Sequence, residues 1–168
     1  PATLVIDSAD VQSDEKIVIE PRTNYTIGRF EVPMINDVSR VGLMVTDVSR
    51  KNNPGATVAG MDWNLGFLDN RLFTNGQVVR SDNSNITGNA IRFNLGYMDP
   101  FWWSARFWYG HYDDEFNVND LGYLRRNDTN WMGGRVEFRK QEPWGRFIYN
   151  DLELKYMQEW RGDGLVLE

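Results

Sequence analysis

Hydrophobic and polar residues alternate with a period of two along most of this chain, and a helical i, i+3, i+4, i+7 spacing is sustained nowhere. From Thr57 to Leu68 the odd positions are Ala59, Met61, Trp63, Leu65 and Phe67, and the even ones are Gly60, Asp62, Asn64 and Gly66. Ala90 to Met98 repeats the pattern, setting Ile91, Phe93, Leu95 and Tyr97 against Arg92, Asn94 and Gly96. Trp102 to Tyr112 sets Trp103, Ala105, Phe107 and Tyr109 against Ser104, Arg106 and Gly110, although Trp102, Trp108 and Tyr112 make the second face partly aromatic. Trp131 to Arg139 sets Met132, Gly134, Val136 and Phe138 against Gly133, Arg135, Glu137 and Arg139. Thr26 to Met34, Arg40 to Ser49, Arg71 to Arg80 and Arg146 to Trp160 alternate more weakly. A strand with two unlike faces requires this alternation, so the pattern predicts an all-β chain of about eight strands.

The connections predict how those strands are joined. Tight turns are expected at Ile35-Asn36-Asp37, Leu68-Asp69-Asn70, Asp99-Pro100 and Pro143-Trp144-Gly145, where Asn, Asp, Pro or Gly supply turn dihedrals. Longer polar loops are expected over Arg50 to Ala56, Ser81 to Asn89 and Asp113 to Asn130. In an antiparallel up-and-down meander all the short turns then fall at one end and all the long loops at the other. That asymmetry belongs to an outer-membrane β-barrel, whole or part of a larger one. Residues 1–22, with Leu4-Val5-Ile6 and Ile17-Val18-Ile19 around an acidic stretch, read as a hairpin within a further loop, leaving 23–160 for transmembrane-type strands of a single domain spanning 1–168.

Composition narrows the function classes. The chain has 168 residues, enough for one domain with a real core. A formal net charge of −6 argues against nucleic-acid binding, which needs a basic footprint. With no cysteine and one histidine, His111, there is no disulfide frame, thiolate metal site or multi-His site, and no metal or other cofactor is expected. Aromatics make up 14% of the residues while mean hydropathy is negative, so apolar and polar positions must be finely interleaved. No apolar run approaches the ~18 to 20 residues of a membrane helix, which excludes a helical membrane protein and leaves a β-barrel open. The chain starts at Pro1 without a signal peptide, as expected of a mature form or an excerpt.

The runs Arg22-Thr23-Asn24-Tyr25-Thr26-Ile27-Gly28-Arg29, Ser39-Arg40-Val41-Gly42-Leu43-Met44-Val45-Thr46 and above all Phe116-Asn117-Val118-Asn119-Asp120-Leu121-Gly122-Tyr123-Leu124-Arg125-Arg126-Asn127-Asp128 carry a resemblance. They resemble an uncharacterised bacterial family in which a family-9-like carbohydrate-binding domain precedes a β-barrel of outer-membrane type. The resemblance covers residues 22 to about 160. It implies a segment of barrel wall, without the amino-terminal binding domain and without the terminal aromatic residue typical of such barrels.

On that reading Asp62, Asn64, Asn75, Gln77, Arg92, Asn94, Arg106, Arg135, Glu137 and Arg139 line a lumen. There they either select an anionic or sugar-like solute or form a charge network that stiffens the wall. The same face would be the solvated side of a soluble sheet, since alternation alone does not say which side is inside. Met61, Trp63, Leu65, Phe67, Ile91, Phe93, Leu95 and Tyr97 are the lipid-facing candidates. Trp102, Trp103, Tyr97, Phe67 and Trp144 lie beside short turns, as an interfacial aromatic belt requires, with sandwich core or sugar-stacking platform as competing explanations.

The acidic stretch His111 to Asp120 offers oxygen ligands for calcium but lacks the glycine and spacing of a helix-loop-helix calcium loop, and its adjacent carboxylates have no defined separation for glycoside hydrolysis. No catalytic residues are assigned, and His111 reads as a packing or interfacial residue. Asn24, Asn85 and Asn127 match the glycosylation sequon, as chance predicts in a chain this rich in Asn, and a bacterial origin would make them idle. The loop Phe116 to Asp128 is too apolar to be freely solvated and is expected to fold back on the wall, with Arg125 and Arg126 pairing to carboxylates such as Asp113, Asp114 or Glu137.

The preferred expectation is a non-enzymatic wall segment in the bacterial outer membrane. Its partners would be outer-membrane lipid and a saccharide or other small solute that it transports or binds, with no nucleic acid. The rival is a soluble all-β carbohydrate-binding module, in which the apolar face is a covered core.

Overall fold

A computed structural model of the chain describes residues 3–6, 15–18, 22–51, 53–84, 86–120, 122–140, 142–143 and 145–167. Every regular element in them is a strand. Two short strands, β1 (Thr3–Ile6) and β2 (Glu15–Val18), pair antiparallel in a sheet of their own. Eight long strands follow: β3 (Thr23–Met34), β4 (Asn36–Arg50), β5 (Asn53–Phe67), β6 (Leu72–Asn83), β7 (Ile86–Met98), β8 (Trp103–Tyr112), β9 (Thr129–Lys140) and β10 (Asn150–Arg161). They form one antiparallel sheet in which every neighbour in space is a neighbour in sequence, from β3 at one edge to β10 at the other.

The meander is as expected, but closure is not observed: β3 and β10 are not hydrogen-bonded to one another, so the sheet is open. Nothing in a side-chain pattern encodes which backbone edge meets which. Pro33, which has no N–H to offer a ladder, sits on edge strand β3 at a register shift. Beyond β10 the chain turns at 162–164 and doubles back, with Val166 bridging Trp160 and the Leu167 amide donating to the Glu159 carbonyl at 2.8 Å.

The expected alternation of short turns and long loops is corrected. Residues 51–52 join β4 to β5 and 84–85 join β6 to β7, so these two connections are as tight as those at 35, 68–71 and 99–102. Only 113–128 is a long loop, and the connection 141–149 is longer than the tight turn expected there. Asn53-Pro54-Gly55 and Asp82-Asn83 look like loop residues because both of their faces are polar, yet they belong to the hairpins: Asn53 pairs with Arg50 across a register shift that leaves Pro54 and Gly55 unpaired, and Asp82 and Asn83 pair with Thr87 and Ile86.

Side chains from neighbouring strands interlock across glycines where β8 meets β9. Gly110 is opposite Trp131, and Trp108 is opposite Gly133. Each indole lies over the partner glycine, in space that a Cβ would take. Replacing Gly110 by Val should therefore lift Trp131 off the sheet at a cost of about 1–3 kcal/mol. A folding titration that moves together with the near-ultraviolet circular dichroism of tryptophan would register it.

Candidate functional site

Residues in register across an antiparallel sheet point to the same side, so the pairing separates two faces. The level line Arg29, Met44, Gly60, Val79, Ala90, Tyr112, Thr129, Arg161 defines one of them. Residues two apart from these share that side. It carries Asp62 and Asn64 on β5, Asn75 and Gln77 on β6, Arg92 and Asn94 on β7, Arg106 on β8, and Arg135, Glu137 and Arg139 on β9. All the polar candidates read from the sequence thus stand on one face. All eight apolar candidates, Met61, Trp63, Leu65, Phe67, Ile91, Phe93, Leu95 and Tyr97, stand on the other.

The polar face is organised by ion pairs at its flanks. On β3–β5 the Arg29 guanidinium donates bidentately to Asp62 at 2.9 and 3.0 Å and also to Glu31 at 2.9 Å, with Arg40 3.6 Å from Glu31. On β9–β10 Arg135 bridges Glu137 at 2.8 Å and Glu153 at 2.9 Å, while Arg139 contacts Glu137 and lies 3.7 Å from Asp151. Exposed pairs of this kind contribute about 0–1 kcal/mol each, so their main effect is to hold the side chains flat in a fixed lattice. Between the two flanks, Asn94 donates to Asn75 at 2.9 Å, and Arg106 rests over the Phe73 ring at 5.5 Å. A recess of about 440 Å³ opens there, bordered by Asp62, Asn75, Gln77, Arg92 and Asn94. A second of about 410 Å³ lies toward the 99–102 turn, bordered by Phe73, Trp102, Arg106 and Arg139.

The loop 113–128 folds onto this same face at the end opposite the turns at 35, 68–71 and 99–102. Phe116 is buried, 4% exposed, and stacks on Tyr112 with ring centroids 5.4 Å apart. Tyr112 in turn meets Trp131 edge-on at 4.8 Å. The Asn117 amide donates to Ser81 Oγ at 3.0 Å, and the Asp120 carboxylate accepts from Arg50 at 2.5 Å and Asn83 at 2.9 Å. The buried side chains Val48, Ala56 and Ala90 are on the same face. Of the two loop arginines expected to pair with wall or loop carboxylates, Arg126 does so, reaching Glu159 on β10 at 3.7 Å rather than Asp113, Asp114 or Glu137, and Leu121 lies outside the described residues. Arg125 has no carboxylate partner among the described residues.

The apolar face has no second layer among the described residues. Leu43, Val45, Met61, Val78, Leu95 and Leu154 are between 42% and 59% exposed. Three of its polar pairs are made within the face: the Trp63 indole donates to Thr74 at 3.2 Å, Thr57 donates to Asp47 at 2.7 Å, and His111 Nδ1 lies 2.8 Å from Asn130. Tyr97 packs on Trp103 at 5.0 Å and Trp102 on Phe138 at 5.6 Å beside the 99–102 turn, whereas Trp144 lies outside the described residues.

The edge of the apolar face is oblique to the strands. Its last apolar residue toward the long loop is Ala59 on β5, before Thr57, and Met132 on β9, before Asn130, while Trp160 carries apolar surface further on β10. Met132 is level, through Tyr109, Phe93 and Gly76, with Trp63 of β5. From Ala59 to Trp63 the edge climbs ~14 Å at ~3.4 Å per residue, over four strand spacings of ~4.8 Å, an inclination of about 35° to the perpendicular of the strands.

Three members of the polar face were hidden in the sequence. Arg29, Glu31 and Arg40 belong to it, but Ile27 on the polar side of β3 and Gly28 on its apolar side blur the alternation around them. Asp151, Glu153 and Lys155 alternate with Leu152, Leu154 and Tyr156, a signal the sequence held within its weaker last segment. Among the described residues no three of His, Cys, Asp and Glu converge as a metal site would require.

Comparison with known proteins adds a family. Residues 2–164 match the model of a family described as a domain of unknown function, DUF5916. Comparison with the curated proteins and with the solved structures returns no match.

Proposed function

We propose that this chain, which belongs to the DUF5916 family, is wall of a bacterial outer-membrane β-barrel that serves transport or binding of a hydrophilic, carbohydrate-like solute rather than catalysis. The observation that carries this reading is the oblique apolar band. A soluble sheet covers its apolar face with a second layer, whereas a membrane strand crosses a level band of lipid at an inclination of about 35–45°. The edge from β5 to β9, inclined about 35° to the perpendicular of the strands, is compatible with that requirement. Each strand of the large sheet has at least 10 residues, and about 9–11 suffice to cross a bilayer. The internal pairing of Trp63 with Thr74 also suits a face with no water to satisfy polar groups. The edge of β3, and that of β10 short of the 159–161 end on which 165–167 double back, are the places where further strands would complete the wall.

The polar face would then line the lumen, with its flanking ion pairs stiffening it and the central amides and arginines facing the solute. Membrane fractionation of the full-length protein tests the reading. Recovery from an outer-membrane fraction only with detergent is the expected result. A folded protein that stays soluble in buffer would overturn it and favour a soluble carbohydrate-binding module.

A further inference from the structure

The charges on the polar face are unevenly distributed across the sheet. The β3–β5 flank sets Arg29 and Arg40 against Glu31 and Asp62, with Arg50 held by Asp120 of the loop. The β9–β10 flank sets Arg135, Arg139, Lys155 and Arg161 against Glu137, Asp151, Glu153 and Glu159. Between them, the polar-face positions of β6, β7 and β8 hold no carboxylate at all, only Arg92 and Arg106 among charged groups. This is the reverse of what a chain with a net charge of −6 would supply by chance.

We infer that the polar face of β6–β8 is a binding lane for anionic solutes, phosphate- or carboxylate-bearing, with Arg92 as its anchor and Arg106 further along. The inference rests on the barrel reading for its location in a lumen, but the site itself does not need it. Arg92 is exposed and borders the recess of about 440 Å³, without a carboxylate partner among the described residues. Asp62, the acid nearest to it in register through Gln77, is already held bidentately by Arg29. Asn94 spends one amide hydrogen on Asn75, so the Asn75 amide group and the Gln77 side chain remain as neutral donors beside the guanidinium. Arg106 is directly opposite Arg135, whose guanidinium is committed to Glu137 and Glu153, so that end of the lane keeps a surplus of positive charge. A planar guanidinium flanked by amide donors matches the geometry of an oxyanion, and Trp108 on the same face provides an apolar surface for the body of the solute.

The test is phosphorus nuclear magnetic resonance of inorganic phosphate titrated with the full-length protein, folded in detergent micelles, or in buffer if it proves soluble there. Wild type should broaden the phosphate line in a saturable, salt-reversible way. The double variant R92Q/R106Q should weaken that binding about tenfold, as expected when a charge-assisted set of hydrogen bonds is lost. R146Q, which removes the same charge from the 141–149 connection, should leave it unchanged. No broadening by wild type, or equal broadening by R92Q/R106Q, overturns the anion lane. Whether detergent was needed reports on the membrane reading separately.

Discussion

Arg introduced at Leu65 or Phe93 is expected to cost about 2 to 4 kcal/mol of folding free energy in a lipid bilayer. Both residues lie within the apolar band, Leu65 level with Thr74 and Phe93 against the rings of Phe107 and Tyr109 at 6.0 and 5.9 Å. A guanidinium there has neither water nor a carboxylate, because every neighbour on that face is apolar or already hydrogen-bonded. The same substitution at Asn64 or Asn94, one residue along the chain, faces the polar side and should cost much less. Folding titrations in vesicles check the contrast. Equal costs on the two faces would reverse or remove the assigned orientation.

Phe116→Ala should have a comparable effect on a different part of the molecule. Its ring is almost wholly buried between Tyr112 and the wall, close to Gly88, where a Cβ would collide with the Phe116 backbone. Emptying such a site costs about 3–5 kcal/mol, and here the cost falls on docking of the loop. The open loop population should rise by about two to three and a half orders of magnitude, and trypsin cleavage after Arg125 and Arg126 should accelerate in proportion where reclosing outpaces cutting. Asp120→Asn, which weakens the contacts with Arg50 and Asn83, should act in the same direction by about 1 kcal/mol. Cleavage of the Phe116→Ala protein at the wild-type rate would mean that the loop is held by something other than this ring.

The sequence made the two faces legible where each is chemically uniform. On β5 and β7 the odd and even residues separate cleanly, and the sheet register keeps that separation across strands. Strand ends were harder to read. Around Asn53-Pro54-Gly55 and Asp82-Asn83 the strands extend past the apolar band, both faces become polar, and alternation vanishes although the hairpins continue, across a register shift in the first and in an unbroken ladder in the second. The same loss of contrast made two hairpins look like long loops. Partners in the loop were legible only by kind: an apolar loop had to dock, but whether Arg126 met Glu159 or another acid depended on the stagger of β10. Closure could not be read at all, since an edge is a row of backbone groups common to every sequence.

Because each strand of the large sheet pairs only with its sequence neighbours, hairpins such as β4–β5 and β6–β7 can form without waiting for distant chain. The salt bridge from Arg50 to Asp120 is the exception, closing a separation of 70 residues. It requires β4 through β8 to be in register before the two side chains can meet, so the loop works as a latch that closes after the intervening strands are laid down. In a refolding time course, protection of the 119–126 segment from protease should therefore lag behind the appearance of β structure.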